Sequence, residues 1–234
     1  MLHLKVTAKS YVMSLKLSKH NLDRKERMDL EKEEMKAELA KILNRIGALK
    51  FGTFKLTSGK LSPYYIDLRV VPSFPDAFKR ICDFYLTLIK SDLGADSFDR
   101  IAGLPTAGIS FGSITAYNLK KPFLYVRSTE RQHGRGRWVE GILSPGDRVL
   151  LMDDLITKGG SIVKATEAVR AEGGTVTDAI VLLDREENGV TNLAESGIKL
   201  HYLLTISEVA YKLQDMDAIT EEQLNTILKQ VKSK

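Results

Sequence analysis

The stretch VLLMDDLITKGGS, residues 149–161, places two adjacent carboxylates beside a glycine-rich turn. Four apolar residues run directly into Asp153 and Asp154, and the segment TKGGS (157–161) follows. Adjacent carboxylates repel each other at the edge of a sheet unless hydroxyls or a cation meet them. The unpaired amides at a helix N-terminus favour an anion, and glycines let a ligand approach the backbone. The pattern predicts a ligand with a monophosphate at one end and vicinal hydroxyls at the other, which describes a sugar phosphate.

The same stretch differs from two common nucleotide-binding loops. The chain contains no G-x-x-x-x-G-K-[ST], and no G-x-G-x-x-G follows its first strand. The plain alternative is a strand, a turn and a helix with a solvated aspartate pair.

The chain around this stretch alternates apolar strands with helices, which predicts the α/β class. Apolar runs predict strands at 100–104, 122–126, 149–152, 177–184 and 199–205, and helical spacing predicts helices at 107–118, 160–172 and about 191–196. Such alternation is typical of a central parallel sheet flanked by helices on both faces. Ligands in these folds bind at the carboxyl ends of the strands, which here are Gly103, Arg127, Asp153 and Asp184.

The two ends of the chain add further elements. Apolar spacing predicts a helix from about Leu30 to Ile46, two short strands within 51–69, and a helix that begins at Ser73. Thr220 and Gln223 have the spacing of a capping box for a C-terminal helix.

Charge is concentrated at the N-terminus. Residues 1–27 carry seven basic and two acidic residues, so they account for the whole net charge of +5 in the 234-residue chain. We therefore expect a basic, flexible N-terminal extension at 1–27 and a neutral domain at 28–234, with Met28 as an alternative start. Nucleic acid is a disfavoured partner because the basic residues lie outside the domain.

Composition also indicates the compartment. Cys82, the single cysteine, excludes a disulfide within the chain, and we expect it to pack as a small core residue. No apolar run reaches the roughly 18 residues of a membrane helix, and the N-terminus lacks a secretory signal. A cytoplasmic location without a membrane partner is the expectation.

Four stretches together resemble one enzyme family. VLLMDDLITKGGS resembles the phosphoribosyl pyrophosphate (PRPP) signature of the type I phosphoribosyltransferases. Three others resemble segments of their orotate branch: FGTFKLTSGKLSPYYIDLR (51–69) the N-terminal substrate segment, YVRSTERQHGRGRWVEG (125–141) the mobile catalytic loop, and IVLLDREENG (180–189) the orotate-contacting strand. The resemblance covers roughly residues 28–215 in unbroken order.

The resemblance implies a fold, a reaction and partners. The fold is the type I phosphoribosyltransferase fold with a small N-terminal hood. The reaction transfers the phosphoribosyl group of PRPP to orotate and yields orotidine 5′-monophosphate and pyrophosphate, a step of pyrimidine synthesis, with Mg²⁺ bound mainly through PRPP rather than by protein ligands. A homodimer is implied, in which loop 127–138 of each subunit completes the neighbouring site.

The resemblance also implies site residues. The catalytic residues would be Arg131, His133, Asp153 and Asp154. PRPP would be bound by Arg127, Arg131, His133, Asp153, Asp154, Leu155, Ile156, Thr157, Lys158, Gly159, Gly160 and Ser161. Orotate would contact Thr157, Arg185, Tyr64 and Tyr65, with the Arg185 guanidinium facing its carboxylate or a ring oxygen. Trp138, at the base of the loop, is expected to pack rather than bind.

Two positions depart from the family pattern, and two other functions stay open. The family usually has a lysine where this chain has Arg131, and many members have one where it has Thr57. The alternatives are transfer to another base, and a PRPP-binding regulator without catalysis whose basic tail contacts nucleic acid. Only about 30 residues follow the last predicted strand, so we expect no decarboxylase domain in this chain.

Overall fold

The computed structural model describes residues 23–55, 61–128 and 137–232. The chain divides into two compact units, residues 1–35 and 36–234. The described part of the first unit is the beginning of helix α1, Arg24–Arg45. Because α1 begins at Arg24, the predicted boundary between residues 27 and 28 lies inside a helix. The extension at 1–27 stays a prediction, since residues 1–22 lie outside the described part.

The hood is a two-stranded antiparallel sheet formed by β1 (Leu49–Lys55) and β2 (Leu61–Ile66). A 3-10 helix, Leu68–Ser73, follows, and Asp67 caps it by accepting a hydrogen bond from the Arg69 amide. Helix α2 is Pro75–Leu88. The predicted start at Ser73 was therefore two residues early, because Pro75 occupies the first helical turn, where its missing N–H is not needed.

The larger sheet has seven strands. Their bounds are β3 Arg100–Gly103, β4 Phe123–Val126, β5 Val139–Glu140, β6 Val149–Met152, β7 Leu155–Ile156, β8 Asp178–Asp184 and β9 Lys199–Thr205. All of the pairings are parallel except β4 with β5. The sheet confirms the α/β class, and all of β6 is buried, as its apolar run predicts.

The strand order explains where a ligand can bind. The order is β5-β4-β3-β6-β8, with β9 on the other side of β8 and β7 continuing the line of β6 along β8. The chain leaves β3 toward β4 on one side and returns to β6 on the other. This reversal is a topological switch point, and ligands of such sheets bind there, outside the carboxyl ends of the strands.

Helices cover the sheet and close the chain. They are α3 Ala107–Leu119, α4 Gly160–Ala171, α5 Gly189–Glu195, α6 Ile206–Gln214 and α7 Glu221–Lys232. Thr220 and Gln223 make the predicted capping box before α7, each donating its amide to the other's side chain. The sequence prediction omitted α6, although Thr205 and Glu208 cap it in the same way.

Packing agrees with two further predictions. Cys82 is buried in α2, and burial raises the pKa of its thiol to about 12. Trp138 packs against the core cluster around Leu124, Val126 and Val169. Within the described residues, no helix is both long enough and apolar enough to cross a membrane.

Candidate active site

The aspartate pair lies in a break between two strands. β6 ends at Met152 and β7 begins at Leu155, so Asp153 and Asp154 leave the sheet at its carboxyl edge. Asp153 Oδ1 accepts the Asp154 amide at 2.9 Å, and Asp154 Oδ1 accepts the Leu155 amide at 2.9 Å. Each carboxylate is therefore fixed by the amide that follows it.

The electrostatics of the pair favour protonation. Burial raises the pKa of Asp153 well above 3.8, and the neighbouring Asp154 charge raises it further. Burial also raises the pKa of Asp154, opposed by hydrogen bonds from Asp153 and the Leu155 amide and by the Arg69 charge. Hydroxyl donors or a cation from a ligand would offset this penalty.

The turn after the pair leads into the N-terminus of α4. Gly159 precedes the helix with φ +82°, a left-handed conformation that favours glycine. A Cβ there would approach Leu193 Cδ2 of α5 at 3.1 Å, so the turn rests closely on α5. The Asn192 side chain also donates to the Lys158 carbonyl at 2.9 Å. This support holds the free amides of α4 in place for a phosphate group.

A second helix N-terminus, that of α3, meets the same edge. A Cβ on Gly108 would lie 2.4 Å from the Met152 carbonyl oxygen and 3.0 Å from Asp153 Cα. Only glycine allows this approach, and the nearby Gly108 amide counters part of the rise in the pKa of Asp153.

Arg185 follows β8 and is 4% exposed. Its guanidinium carbon lies 5.1 Å from the centroid of the Tyr64 ring, and Nη2 lies 3.3 Å from Glu187 Oε1. Within the part of the chain that the structure describes, neither Nε nor Nη2 makes a hydrogen bond. A buried cation with unused donors is suited to a planar anion, because the guanidinium binds carboxylates through two parallel hydrogen bonds.

These groups line one cavity of about 470 Å³. Its lining includes Asp153, Asp154, Leu155, Ile156, Thr157, Gly159, Gly160, Ser161, Tyr65 and Arg185 from the predicted set, and Lys55, Asp67, Arg69, Pro105, Thr106 and Ala107 besides. It thus combines paired carboxylates, two helix N-termini and a buried guanidinium.

Comparison with known proteins identifies the family. The model of the phosphoribosyl transferase domain family matches residues 75–194. The orotate phosphoribosyltransferase of Cenarchaeum symbiosum is 46% identical over 171 residues, which are 73% of this chain and 86% of that protein. The chain belongs to the orotate phosphoribosyltransferases.

Other members of the family support the assignment. The orotate phosphoribosyltransferase of Sulfolobus acidocaldarius is 39% identical over 76% of this chain and 88% of its own. The crystal structure of the Aeropyrum pernix orotate phosphoribosyltransferase superposes with a TM-score of 0.66 at 36% identity, covering 75% of this chain and 99% of that one. The structure of Leishmania donovani UMP synthase gives 0.76 at 30% identity, and the match spans 85% of this chain but 42% of that longer chain.

Some residues that the family resemblance suggested lie apart from this cavity. Arg127 lines a second cavity of about 600 Å³ with Trp138 and Lys164, and its Nη1 pairs with Glu140 Oε1 at 2.9 Å. Tyr64 is fully buried against the Arg185 guanidinium and does not line the first cavity. Lys158 is exposed and does not line it either. Arg131, His133 and Thr57 lie outside the described residues.

The sequence analysis missed residues that line the cavity, among them Arg69 and Thr106. Arg69 is held by Asp67 at 2.7 Å and by the Tyr65 hydroxyl at 2.6 Å. Nothing in the local pattern marks it, because the hood and the 3-10 helix bring it to the cavity. Thr106 lies three residues after the end of β3. Ligands bind outside the carboxyl ends of parallel strands, so the residues that follow Gly103 were also candidates.

Proposed function

We propose that the protein transfers the phosphoribosyl group of PRPP to orotate, giving orotidine 5′-monophosphate and pyrophosphate in pyrimidine synthesis. One observation carries the proposal: a single cavity holds the carboxylate pair, the phosphate-type turn and a buried guanidinium with unused donors. Sequence relatives named orotate phosphoribosyltransferase support it.

The chain's own groups would hold PRPP at its two ends. Asp153 and Asp154 accept hydrogen bonds from the ribose 2′- and 3′-hydroxyls, which offsets the burial of their charges. The amides and hydroxyls of residues 157–161 bind the 5′-phosphate at the N-terminus of α4. The N-terminus of α3, at Thr106 and Ala107, lies on the same cavity and favours a second anion, the pyrophosphate.

Arg185 would orient the base. Its fork pairs with the orotate carboxylate or a ring oxygen and directs a ring nitrogen at C1 of the ribose. The nitrogen–C1 bond forms, the bond from C1 to the pyrophosphate oxygen breaks, and the proton of the ring nitrogen leaves with the departing pyrophosphate. Positive charge develops on the sugar and negative charge on the leaving group, so positioning and electrostatics do most of the catalysis.

Magnesium fits this site as a partner of the substrate. The described residues contain no group of three or more side chains that could hold a metal ion. Two carboxylates beside ribose hydroxyls suit an ion that keeps substrate oxygens and waters as most of its ligands. Bound in this way, Mg²⁺ would neutralise charge on the departing pyrophosphate.

Three parts of the proposal rest on the family resemblance alone. Arg131 and His133 would stabilise the leaving pyrophosphate, loop 127–138 would act on the site of a partner subunit, and Lys158 and Arg127 would contact PRPP when it binds. A cytoplasmic location likewise stays a prediction.

An assay with a panel of bases tests the proposal. Purified protein with PRPP and Mg²⁺ is expected to consume orotate and release pyrophosphate, and to leave adenine, hypoxanthine and uracil unchanged. Turnover of a neutral base but not of orotate would favour transfer to another base. Binding of PRPP without turnover of any base would favour the regulator.

A further inference from the structure

The Tyr85 hydroxyl lies at the strand break that carries the aspartate pair. Tyr85 belongs to α2, is fully buried, and donates its hydroxyl to the Asp153 carbonyl oxygen at 2.6 Å. It does not line the cavity. Tyr85 is therefore tied to the site through the backbone of Asp153.

The hydrogen bonds of the sheet are irregular at this point. The Asp153 amide donates to the Ile180 carbonyl at 3.1 Å, as in a parallel ladder. In a regular parallel ladder the Asp153 carbonyl would then accept the Leu182 amide. That amide donates instead to the Asp154 carbonyl, at 3.0 Å. The ladder thus skips the Asp153 carbonyl, and the Tyr85 hydroxyl takes the place of the missing donor.

The geometry of α2 fixes the hydroxyl in this position. The Tyr85 ring packs on the Phe111 ring of α3, with centroids 5.7 Å apart, and the Phe78 ring packs on the same Phe111 ring at 5.6 Å. Burial and the charges of Asp154 and Asp153 raise the pKa of Tyr85, so the hydroxyl keeps its proton and stays a donor. A buried carbonyl without a donor would be costly, so loss of the hydroxyl should shift the backbone of the break.

We propose that Tyr85 is a positioning residue for the sugar donor. Its hydroxyl replaces the missing amide donor of the ladder, keeps the break between β6 and β7 open, and thereby directs both carboxylates at the ribose hydroxyls. The inference rests on the proposed function, since it deepens the role of the same site. Its effect falls on PRPP, because Arg185, which we assign to the base, follows the end of β8 rather than the break.

The test is Tyr85→Phe, which removes one oxygen and keeps the ring. We expect the KM for PRPP, and the Kd for PRPP with Mg²⁺ by calorimetry, to rise about tenfold, which corresponds to ~1.4 kcal/mol. The KM for orotate should stay within about twofold, since no contact of Arg185 changes. Thr115→Val is the matched control: its buried hydroxyl on α3 has no hydrogen-bond partner among the described residues, so its loss should change neither KM.

Two outcomes would overturn the inference. One is an unchanged affinity for PRPP in Tyr85→Phe while the wild type turns over normally; the other is an equal rise in both KM values. A wild type without turnover would instead contradict the proposed function, and the calorimetric arm would still measure PRPP binding. If Tyr85→Phe melts too low to assay, Tyr85→4-aminophenylalanine restores a donor at the same place and should return the wild-type KM for PRPP. Failure of that rescue in a folded variant would also reject the role.

Discussion

Asp153 and Asp154 lower the stability of the free protein, although the proposed function needs both carboxylates. Both carboxylates are partly buried side by side, and burial raises both pKa values. A carboxyl whose pKa is higher in the folded than in the unfolded chain stabilises the fold while it is protonated. That contribution is complete below pH 3.8 and is lost as the pH rises through the raised pKa. At neutral pH the aspartate pair thus destabilises the free protein, and its carboxylates can accept hydrogen bonds from the ribose hydroxyls of PRPP.

Asp153→Asn should therefore stabilise the free protein while impairing it. Asparagine keeps an oxygen for the Asp154 amide and removes one charge. We expect the Tm at pH 7.5 to rise by about 2–4 °C, for a gain of roughly 1 kcal/mol, and the gain to disappear near pH 3.5. Turnover of PRPP should fall at the same time. Asp96→Asn, in an exposed turn, is the control and should shift neither quantity. A lower Tm at pH 7.5 would contradict the assigned pKa direction.

Substitution of Arg185 should raise the KM for orotate more than the KM for PRPP. Arg185→Ala removes a charge-assisted contact worth about 1.5–3 kcal/mol, so the KM for orotate should rise roughly 10–100-fold. Arg185→Lys keeps the charge without the fork and should lie between the two. Steady-state kinetics with both substrates varied measures the effect. The KM for PRPP should change little, and an equal rise in both would remove the assignment of Arg185 to the base.

At the scale of elements, the predictable part of the site is the part that local sequence encodes. The apolar run of β6, the TKGGS turn and the start of α4 are contiguous, so their patterns locate the phosphate end of the site. The strand break does not follow from the sequence, because it depends on Tyr85, 68 residues earlier in the chain. Arg69 was missed for the same reason. Helix α6 was missed because its cap, Thr205, is also the last residue of β9, so no turn residue separates the strand from the helix.

Gly108 tests the contact between two of these elements. Gly108→Ala places a methyl carbon 2.4 Å from the Met152 carbonyl oxygen, so either α3 or the end of β6 must move. Overpacking of this kind typically lowers stability by about 1–3 kcal/mol. We expect a lower Tm and a kcat/KM for PRPP reduced beyond the loss of folded protein. Ser113→Ala, in the same helix, removes a hydroxyl that donates to the Ser110 carbonyl, and it serves as the control. A variant with wild-type kinetics would show that the approach of α3 to Asp153 is dispensable.

At the scale of the whole molecule, the groups that the family resemblance names line two different cavities in the described part of the chain. The described cavity holds the two aspartates and Arg185, whereas Arg127 lines a different cavity beside Trp138. The sequence analysis placed all of them at one edge of the sheet. The sequence shows which residues follow each strand, but it does not show in which direction each side chain points. The predicted homodimer would bring the leaving-group cations from a partner.

Mixing two inactive variants tests this division of labour. Asp154→Asn removes an aspartate from the subunit's own site, and Arg131→Ala removes a cation that should act on the partner's site. Each variant alone should be nearly inactive. When the two are mixed, unfolded and refolded together, half of the dimers combine both chains, and each of these has one intact site. Activity should therefore return to about a quarter of the wild-type value, as random pairing in a two-fold symmetric dimer requires. Gel filtration of the mixture checks that the dimer forms. A mixture that forms dimers but stays inactive would mean that residue 131 serves its own subunit.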